Sequence, residues 1–143
     1  MDNPKLPKLV RIPPAMQTRF GKGMMLVPSP REVEAFIQTV PEGTVSTVSK
    51  IREFLAAKHS AGVTCPLTTG IFVRIAAEAA EEDSRAGKEK ITPYWRVVKD
   101  DGSLNPKLPG GTSLQAKRLR AEGHRILPAK GKRPPHVDLS ALH

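Results

Sequence analysis

The sequence is poor in cysteine, in aromatic side chains and in long apolar runs. Its 143 residues include one cysteine, Cys65, which excludes an internal disulfide and a cysteine-rich metal site. The four histidines (His59, His124, His136 and His143) lack metal-ligand spacing, and there is no glycine-rich nucleotide loop, so no metal or other cofactor is expected. No apolar run approaches the ~20 residues of a membrane span, and the first residues lack the apolar core of a secretion signal. We therefore expect a cytoplasmic protein that does not bind membranes.

Acidic residues are scarce as well, 14 against 23 Lys and Arg, which gives a net charge of +9. Residues 1–28 hold five basic residues and one acidic residue, and residues 125–143 hold four and one, whereas residues 29–124 are nearly balanced. Both ends are also rich in proline, which favours extended, weakly ordered chain. We predict one domain over 29–124 between a basic N-terminal arm (1–28) and a basic C-terminal tail (125–143). Two interpretations stay open for these ends, binding along a polyanion and simple solubilisation.

Four helices and one β-hairpin are predicted between the two ends. Ser29, Pro30 and Glu32 form a capping box with proline at the first helical position, followed by apolar residues at helical spacing. The other helices are predicted over 46–59, 67–84 and 112–122, the last stopped by Gly123. The hairpin is predicted over 95–104, around a turn at 100–102.

The third helix has two predicted features. Its buried stripe is predicted to consist of Ile71, Phe72, Ile75, Ala76 and Ala79. Its acidic end is expected to fray, because negative charge opposes the helix dipole there; the residues are Glu78, Glu81, Glu82 and Asp83. The order of elements predicts a mainly α fold with a small β-hairpin, a winged helix-turn-helix DNA-binding domain with helix 67–84 in the recognition position.

The segment Thr92-Pro93-Tyr94-Trp95-Arg96-Val97 and the residues after it carry a specific pattern. It continues in order through Gly102, Leu104, Gly110, Gly111, Gln115, Leu119, Glu122 and Gly123. Over residues 31–124 the chain resembles the DNA-binding domain of the O6-alkylguanine-DNA alkyltransferases, which have Pro-Cys-His-Arg-Val at the reacting centre. The resemblance implies a base pocket at Pro93, Tyr94, Trp95, Arg96 and Glu122.

Tyr94 and Trp95 stand where the family has its nucleophilic cysteine and the histidine that activates it. A phenol of pKa near 10 is a poor nucleophile and an indole is no base, so we expect no alkyl transfer and no catalytic residue. His124 lies beyond the predicted helix stop and does not replace the missing histidine. In type the chain is similar to the alkyltransferase-like proteins, which bind alkylated DNA without repairing it.

The resemblance implies that Tyr94 serves as an aromatic wall for an extruded base. For Trp95, a packed core position is favoured over a second wall. Two departures concern base extrusion: Val48 stands in place of a family tyrosine, and the family arginine falls at or beside Gly70. Arg74, one turn later, is either a substitute for that arginine or a solvated surface residue.

Further DNA contacts are predicted on one face of the winged helix, each with a structural alternative as a helix cap, a solvated charge or a hydrogen-bond donor. Cys65 precedes a helix and is either a relocated nucleophile or, the favoured interpretation, a buried structural thiol. The predicted DNA-binding residues are Ser46, Thr47, Lys50, Thr68, Thr69, Arg74, Lys99 and Lys107.

Three hypotheses follow. The first is a monomeric, non-enzymatic protein that binds double-stranded DNA, recognises alkylated bases and works with excision-repair proteins. The second is a winged-helix module that has lost lesion recognition and binds undamaged nucleic acid or a protein partner. The third is an enzyme that uses Cys65 or an unrecognised site.

Overall fold

The computed structural model describes residues 5–141, which are mostly helical with small sheets. No helix in this range is long and apolar enough to cross a membrane. The helices are α1 (Gln17–Phe20), α2 (Pro30–Gln38), α3 (Val48–Lys58), α4 (Pro66–Arg85) and α5 (Gly111–Ala121). The strands are β1 (Lys8–Arg11), β2 (Met24–Val27), β3 (Ser46–Thr47), β4 (Val63–Thr64), β5 (Val97–Val98), β6 (Ile126–Leu127) and β7 (His136–Val137).

Local capping signals fix the start of α2 and the end of α5. The Ser29 hydroxyl accepts a hydrogen bond from the Glu32 amide at 3.2 Å, and the Glu32 carboxylate accepts one from the Ser29 amide at 3.5 Å. The predicted capping box is therefore confirmed, with Pro30 at the first helical position. After α5, Gly123 has a φ of 93°, the left-handed conformation that glycine adopts most readily, and it ends the helix as predicted.

The buried face of α4 differs from the predicted stripe. Val73, Ala76, Ala77 and Ala80 are buried, whereas Ile71 is 39% exposed. Of the predicted stripe, Ala76 is buried and Phe72 packs against the core while partly buried. The alanines allow α4 to pack closely against α2, so small side chains are buried in preference to large ones. The larger apolar residues are left nearer the surface.

The acidic end of α4 does not fray, contrary to prediction. Glu81 is buried and forms a salt bridge with Arg118 of α5, and the helix continues to Arg85. A specific cation on a neighbouring helix outweighs the unfavourable dipole, which is worth only ~0.3–1 kcal/mol at an exposed site.

The predicted β-hairpin forms its turn and one hydrogen bond across it, from the Lys99 amide to the Ser103 carbonyl at 3.0 Å, but its two arms do not pair as strands. The Gly102 amide donates to the Lys99 carbonyl at 2.8 Å, which closes the turn. However, β5 pairs in parallel with β3, in the register Ser46 with Val97. Ser103 forms its bridge with His136 instead. The chain before β5 is a 3₁₀ turn over Tyr94–Arg96, so the alternation predicted for 95–99 does not develop.

The two ends are folded onto the domain, and the prediction of weakly ordered arms is wrong for their described parts. β1 and β2, both in the predicted N-terminal arm, pair with each other in antiparallel fashion. β2 also pairs in parallel with β4, which belongs to the predicted domain. In the C-terminal end, β6 pairs with β7. Leu26 and Val137 both lie in the main core. Only residues 1–4 and 142–143 of the predicted arm and tail lie outside the described residues.

Candidate functional site

Tyr94, the central residue of the predicted base pocket, is fully buried. Its ring has 0% exposure and its hydroxyl donates to Glu81 Oε2 at 2.5 Å. Burial, together with the Glu81 carboxylate, raises the pKa of the phenol. The prediction of an aromatic wall for an extruded base is therefore wrong in this conformation, because the 3₁₀ turn points the ring at α4 and away from solvent.

Glu81 connects Tyr94 to α5. Arg118 donates to both Glu81 oxygens, from Nε at 2.8 Å and from Nη2 at 2.7 Å. Burial raises the pKa of Glu81, but the hydrogen bonds from Arg118 and Tyr94 outweigh it and leave that pKa below its ordinary value. Sequence reasoning missed this Tyr94–Glu81–Arg118 network. The signal was present, since Glu81 lies four residues after the buried Ala77, on the same side of the helix.

Trp95 is packed rather than presented to solvent. It is 8% exposed and meets the Tyr94 ring edge-on, with 5.4 Å between the ring centroids. The Arg118 guanidinium lies 4.9 Å from the centroid of its ring and that of Arg96 lies 5.7 Å from it. This is the core position favoured from the sequence.

Arg96 and Glu122, retained from the family pattern, pair with each other. Arg96 Nε lies 2.9 Å from Glu122 Oε1 and Nη2 lies 2.5 Å from Oε2, while Nη1 donates to the Val40 carbonyl at 2.6 Å. Burial raises the pKa of Glu122, but the hydrogen bonds from Arg96 outweigh it and lower the pKa overall. Glu122 therefore holds an arginine where the family glutamate orients a histidine. Arg96 is a structural donor.

Gln115, another residue of the pattern seen in the sequence, has a structural role. It is fully buried, donates to the carbonyls of Trp95 and Val97, and accepts from the Asn105 amide at 2.8 Å. These bonds hold the 3₁₀ turn and β5 against α5. Gln115 thus keeps the backbone around Tyr94 and Trp95 in place.

A groove of about 840 Å³ opens beside this network, lined partly by Pro93, Trp95 and Arg96. Its other walls come from the ends of α2 and α4 and from residues 88–92. Its lining contains five acidic and four basic side chains, so it does not present the uniform positive charge that suits a DNA backbone. On α4 it extends from Ala79 to Ser84, and Ala79 is ~7.5 Å along the helix axis from Arg74.

The first turns of α4 present an exposed face. Leu67 is 70% exposed, and Ile71 and Arg74 follow on the same side. Between them, a methyl group added to Gly70 would meet nothing within 4 Å beyond the backbone of its own helix. The spacing 67, 70, 71, 74 places these residues along one stripe of the helix. We call this stripe the α4 face.

Thr69 and Thr68 do not offer their hydroxyls to DNA in this structure. Thr69 has 0% exposure and donates to the Cys65 carbonyl at 2.7 Å, so its prediction as a DNA contact is wrong. Thr68 donates to Cys65 Sγ at 3.2 Å. Hydroxyls in a first helical turn bond readily to nearby backbone groups, and tertiary packing fixed that choice here.

The other predicted DNA contacts fall into two groups, hydroxyl residues with structural roles and exposed cations. Ser46 is buried in β3, and Thr47 caps α3 by accepting from the Lys50 amide at 3.1 Å, so their structural alternatives apply. The predicted cations remain at the surface and free to meet a polyanion; they are Lys50, Arg74, Lys99 and Lys107.

Two arginines that the sequence did not single out lie close to the start of α4. Arg19 and Arg52 contact the ring of Phe20, at 4.7 and 5.5 Å from its centroid. Arg52 also donates from Nε to the carbonyl of Thr64, at the end of β4, at 3.0 Å. Arg19 lies in the segment predicted as a weakly ordered arm, for which no contact with α3 is expected.

Cys65 is buried and directly precedes α4. Among the described residues, its thiol accepts a side-chain hydrogen bond from the Thr68 hydroxyl alone. No imidazole hydrogen-bonds to it within the described residues, so a general base of the kind that activates a cysteine nucleophile is missing there. The geometry fits the structural interpretation.

The chain contains α3 to α5, with the 3₁₀ turn and β5 between α4 and α5, and its fold is similar to that of a solved structure. Among solved structures the chain matches Atl1 of S. pombe in complex with damaged DNA containing O6-carboxymethylguanine, with a TM-score of 0.51 and 20% identity. The match covers 78% of this chain and 89% of that chain. No protein-family model and no curated protein matches the sequence. The resemblance predicted from the sequence is confirmed at the level of the fold.

Proposed function

We propose that this chain is a non-enzymatic DNA-binding protein of the alkyltransferase-like type that recognises alkylated bases in duplex DNA. The observation that carries the proposal is the exposed α4 face in a fold shared with Atl1, whose structure holds damaged DNA. Because the protein removes nothing from the base, excision-repair proteins would act after it.

The α4 face suits the recognition helix of a winged helix-turn-helix. α4 has 20 residues, which is ~30 Å of helix, and no element within residues 5–141 covers the α4 face in its first turns. Leu67 and Ile71 offer apolar contacts to sugars or bases, and Arg74 lies one turn further on. Surface cations such as Lys50 and Lys99 supply the attraction to phosphate that makes up most non-specific affinity.

Alkyl transfer is not part of the proposal. The residue at the reacting position, Tyr94, is a buried phenol with a raised pKa and a carboxylate partner, so its phenolate is disfavoured. Trp95 has no basic nitrogen, and Cys65 is buried.

One observation favours the second candidate, a winged-helix module that binds undamaged nucleic acid or a protein partner. The burial of Tyr94 removes the aromatic wall expected for an extruded base. Extrusion costs a few kcal/mol, and neither Val48 nor Gly70 supplies a side chain that takes the place of the base in the stack.

The test is fluorescence anisotropy with two duplexes that differ only in one O6-methylguanine, at low and moderate salt. The proposal predicts tighter binding to the modified duplex, with a preference that persists when salt is raised. Equal affinities that fall together with salt would contradict lesion recognition and support the second candidate.

A matched pair of variants locates the surface. Ile71→Glu places a negative charge on the α4 face and is expected to weaken binding to both duplexes. Leu139→Glu is the control, because Leu139 is exposed to the same extent, 39%, outside α4. An equal loss of DNA affinity in both variants would show that the added negative charge weakens binding wherever it is placed, and that the α4 face has no special role.

A further inference from the structure

Arg19, Phe20 and Arg52 form a cluster that joins the N-terminal segment to α3. The two guanidiniums lie 4.7 and 5.5 Å from the centroid of the Phe20 ring, which therefore holds both cations in place. Arg19 and Phe20 come from α1, and Arg52 comes from α3. The cluster exists only because the N-terminal segment is folded onto the domain.

Neither arginine is neutralised by a carboxylate. Within residues 5–141 no Asp or Glu oxygen lies within 4.0 Å of either guanidinium, although Glu53 and Asp100 are near enough to act on Arg52 through space. Burial, and after it the charge of Arg19, lowers the pKa of Arg52. Two cations held together at a cost in repulsion indicate an anion that comes from outside the chain.

The cluster lies beside the start of α4. The Nε of Arg52 donates to the carbonyl of Thr64 at 3.0 Å, and Thr64 Oγ1 donates in return to the Arg52 carbonyl at 2.7 Å. Thr64 is two residues before Pro66, the first residue of α4. A strand of DNA laid against Leu67 would therefore pass close to this pair of arginines.

We propose that Arg19 and Arg52 form a phosphate-binding site for the DNA backbone, next to the first turn of α4. The inference rests on the proposed DNA-binding function and adds to it a site supplied by the N-terminal segment. Guanidiniums suit this ligand because their planar N–H groups match phosphate oxygens in pairs. A phosphate there would offset the repulsion between the two cations.

The experiment is the dependence of binding on salt, measured with an undamaged duplex of fixed length. Each phosphate neutralised by a cation contributes a slope of about −0.9 in a plot of log K against log salt concentration. Because the two arginines share one phosphate, the double variant Arg19→Gln with Arg52→Gln should reduce the magnitude of the slope by about 0.9, and Arg19→Gln alone should give a measurable part of that reduction. Arg120→Gln, an exposed position on α5, is the control with at most a small change.

Arg19→Gln is the primary variant, because the side chain of Arg19 makes no hydrogen bond among the described residues and its loss leaves the β4–α3 contact intact. A thermal melt of each variant confirms that it is folded. If the parent chain binds DNA and the slope of Arg19→Gln equals that of the parent, the phosphate site is refuted and the proposed function stands. If the parent chain does not bind the modified or the undamaged duplex, both fail.

Discussion

Replacing Tyr94 with phenylalanine removes one hydroxyl from the buried network that joins α4 to α5. The ring keeps its place and its edge contact with Trp95, so no cavity forms. What is lost is the hydrogen bond to Glu81, and bonds to charged groups contribute ~1.5–3 kcal/mol. Because Glu81 keeps both bonds from Arg118, we expect a loss near the lower end, about 1.5 kcal/mol.

The assay is urea denaturation followed by far-UV circular dichroism, with thermal unfolding beside it. A loss of about 1.5 kcal/mol should lower Tm by about 5 °C in a chain of this length, with the urea m-value unchanged. Glu81→Gln is the companion variant. It leaves the Arg118 cation without its anion and should lower the free energy of unfolding by more, about 2–3 kcal/mol. This cost is below the range for fully buried pairs because a quarter of the Arg118 side chain is exposed. A Tyr94→Phe protein as stable as the parent within about 0.5 kcal/mol would refute the reasoning.

The same network predicts a dependence on pH with a definite sign. The pKa of Glu81 is lower in the folded protein than in the unfolded chain, and that of Glu122 is shifted in the same direction. Their contribution to the free energy of unfolding is therefore fully present above the pKa of the unfolded carboxyl, ~4.3. It is lost as the pH falls through the lowered folded pKa values. Glu81→Gln should make the stability less sensitive to acid than that of the parent, and an unchanged acid dependence would contradict the assignment.

Three further predictions concern α4 and the Arg96 pair. Gly70→Ala should raise the free energy of unfolding by ~0.5–1 kcal/mol in a urea titration, because Gly70 is an exposed helix-interior position with open space; destabilisation would show an unseen contact. Thr69→Val should lower stability by ~1 kcal/mol without weakening DNA binding in the anisotropy assay, and a selective loss of affinity would restore Thr69 as a contact. Arg96→Lys should lose the paired bonds to Glu122 and the bond to the Val40 carbonyl, at a cost of ~1–3 kcal/mol; a thermal melt equal to that of the parent would contradict it.

Signals that lie within a few residues of chain were sufficient for the helix ends. The side chains of Ser29 and Glu32 each accept a hydrogen bond from the other residue's backbone amide. Gly123 ends α5 because its own backbone adopts a positive φ. These interactions are local, so the residues that make them are adjacent in the sequence and can be recognised there.

Contacts between distant segments could not be predicted in the same way. The strand partner of Val97 is Ser46, 51 residues earlier, and the partner of Ser103 is His136. The charge and proline content of the ends pointed to weak order, yet the apolar run Met24 to Val27 is enough to form β2 and bury Leu26. Composition describes average behaviour, whereas one well-placed strand decides the fold of a segment.

The candidate site shows the same division. The order of retained residues from Pro93 to Gly123 was enough to identify the fold, but the direction of the Tyr94 ring depends on Glu81 and Arg118, which belong to two other elements. The pairing of Arg19 with Arg52 depends on how the N-terminal segment docks. Side-chain roles at the site therefore required the tertiary structure.

Mapping amide chemical shifts by NMR as a duplex with one O6-methylguanine is added tests most directly that DNA binds at the α4 face. We expect the largest changes at residues 67–74 and at Lys50 and Arg52. The indole signal of Trp95, the one tryptophan in the chain, should stay in place because the ring is packed. Changes confined to Trp95 and residues 88–92, with the α4 face unaffected, would contradict the assignment and place the ligand in the groove at the other end of α4.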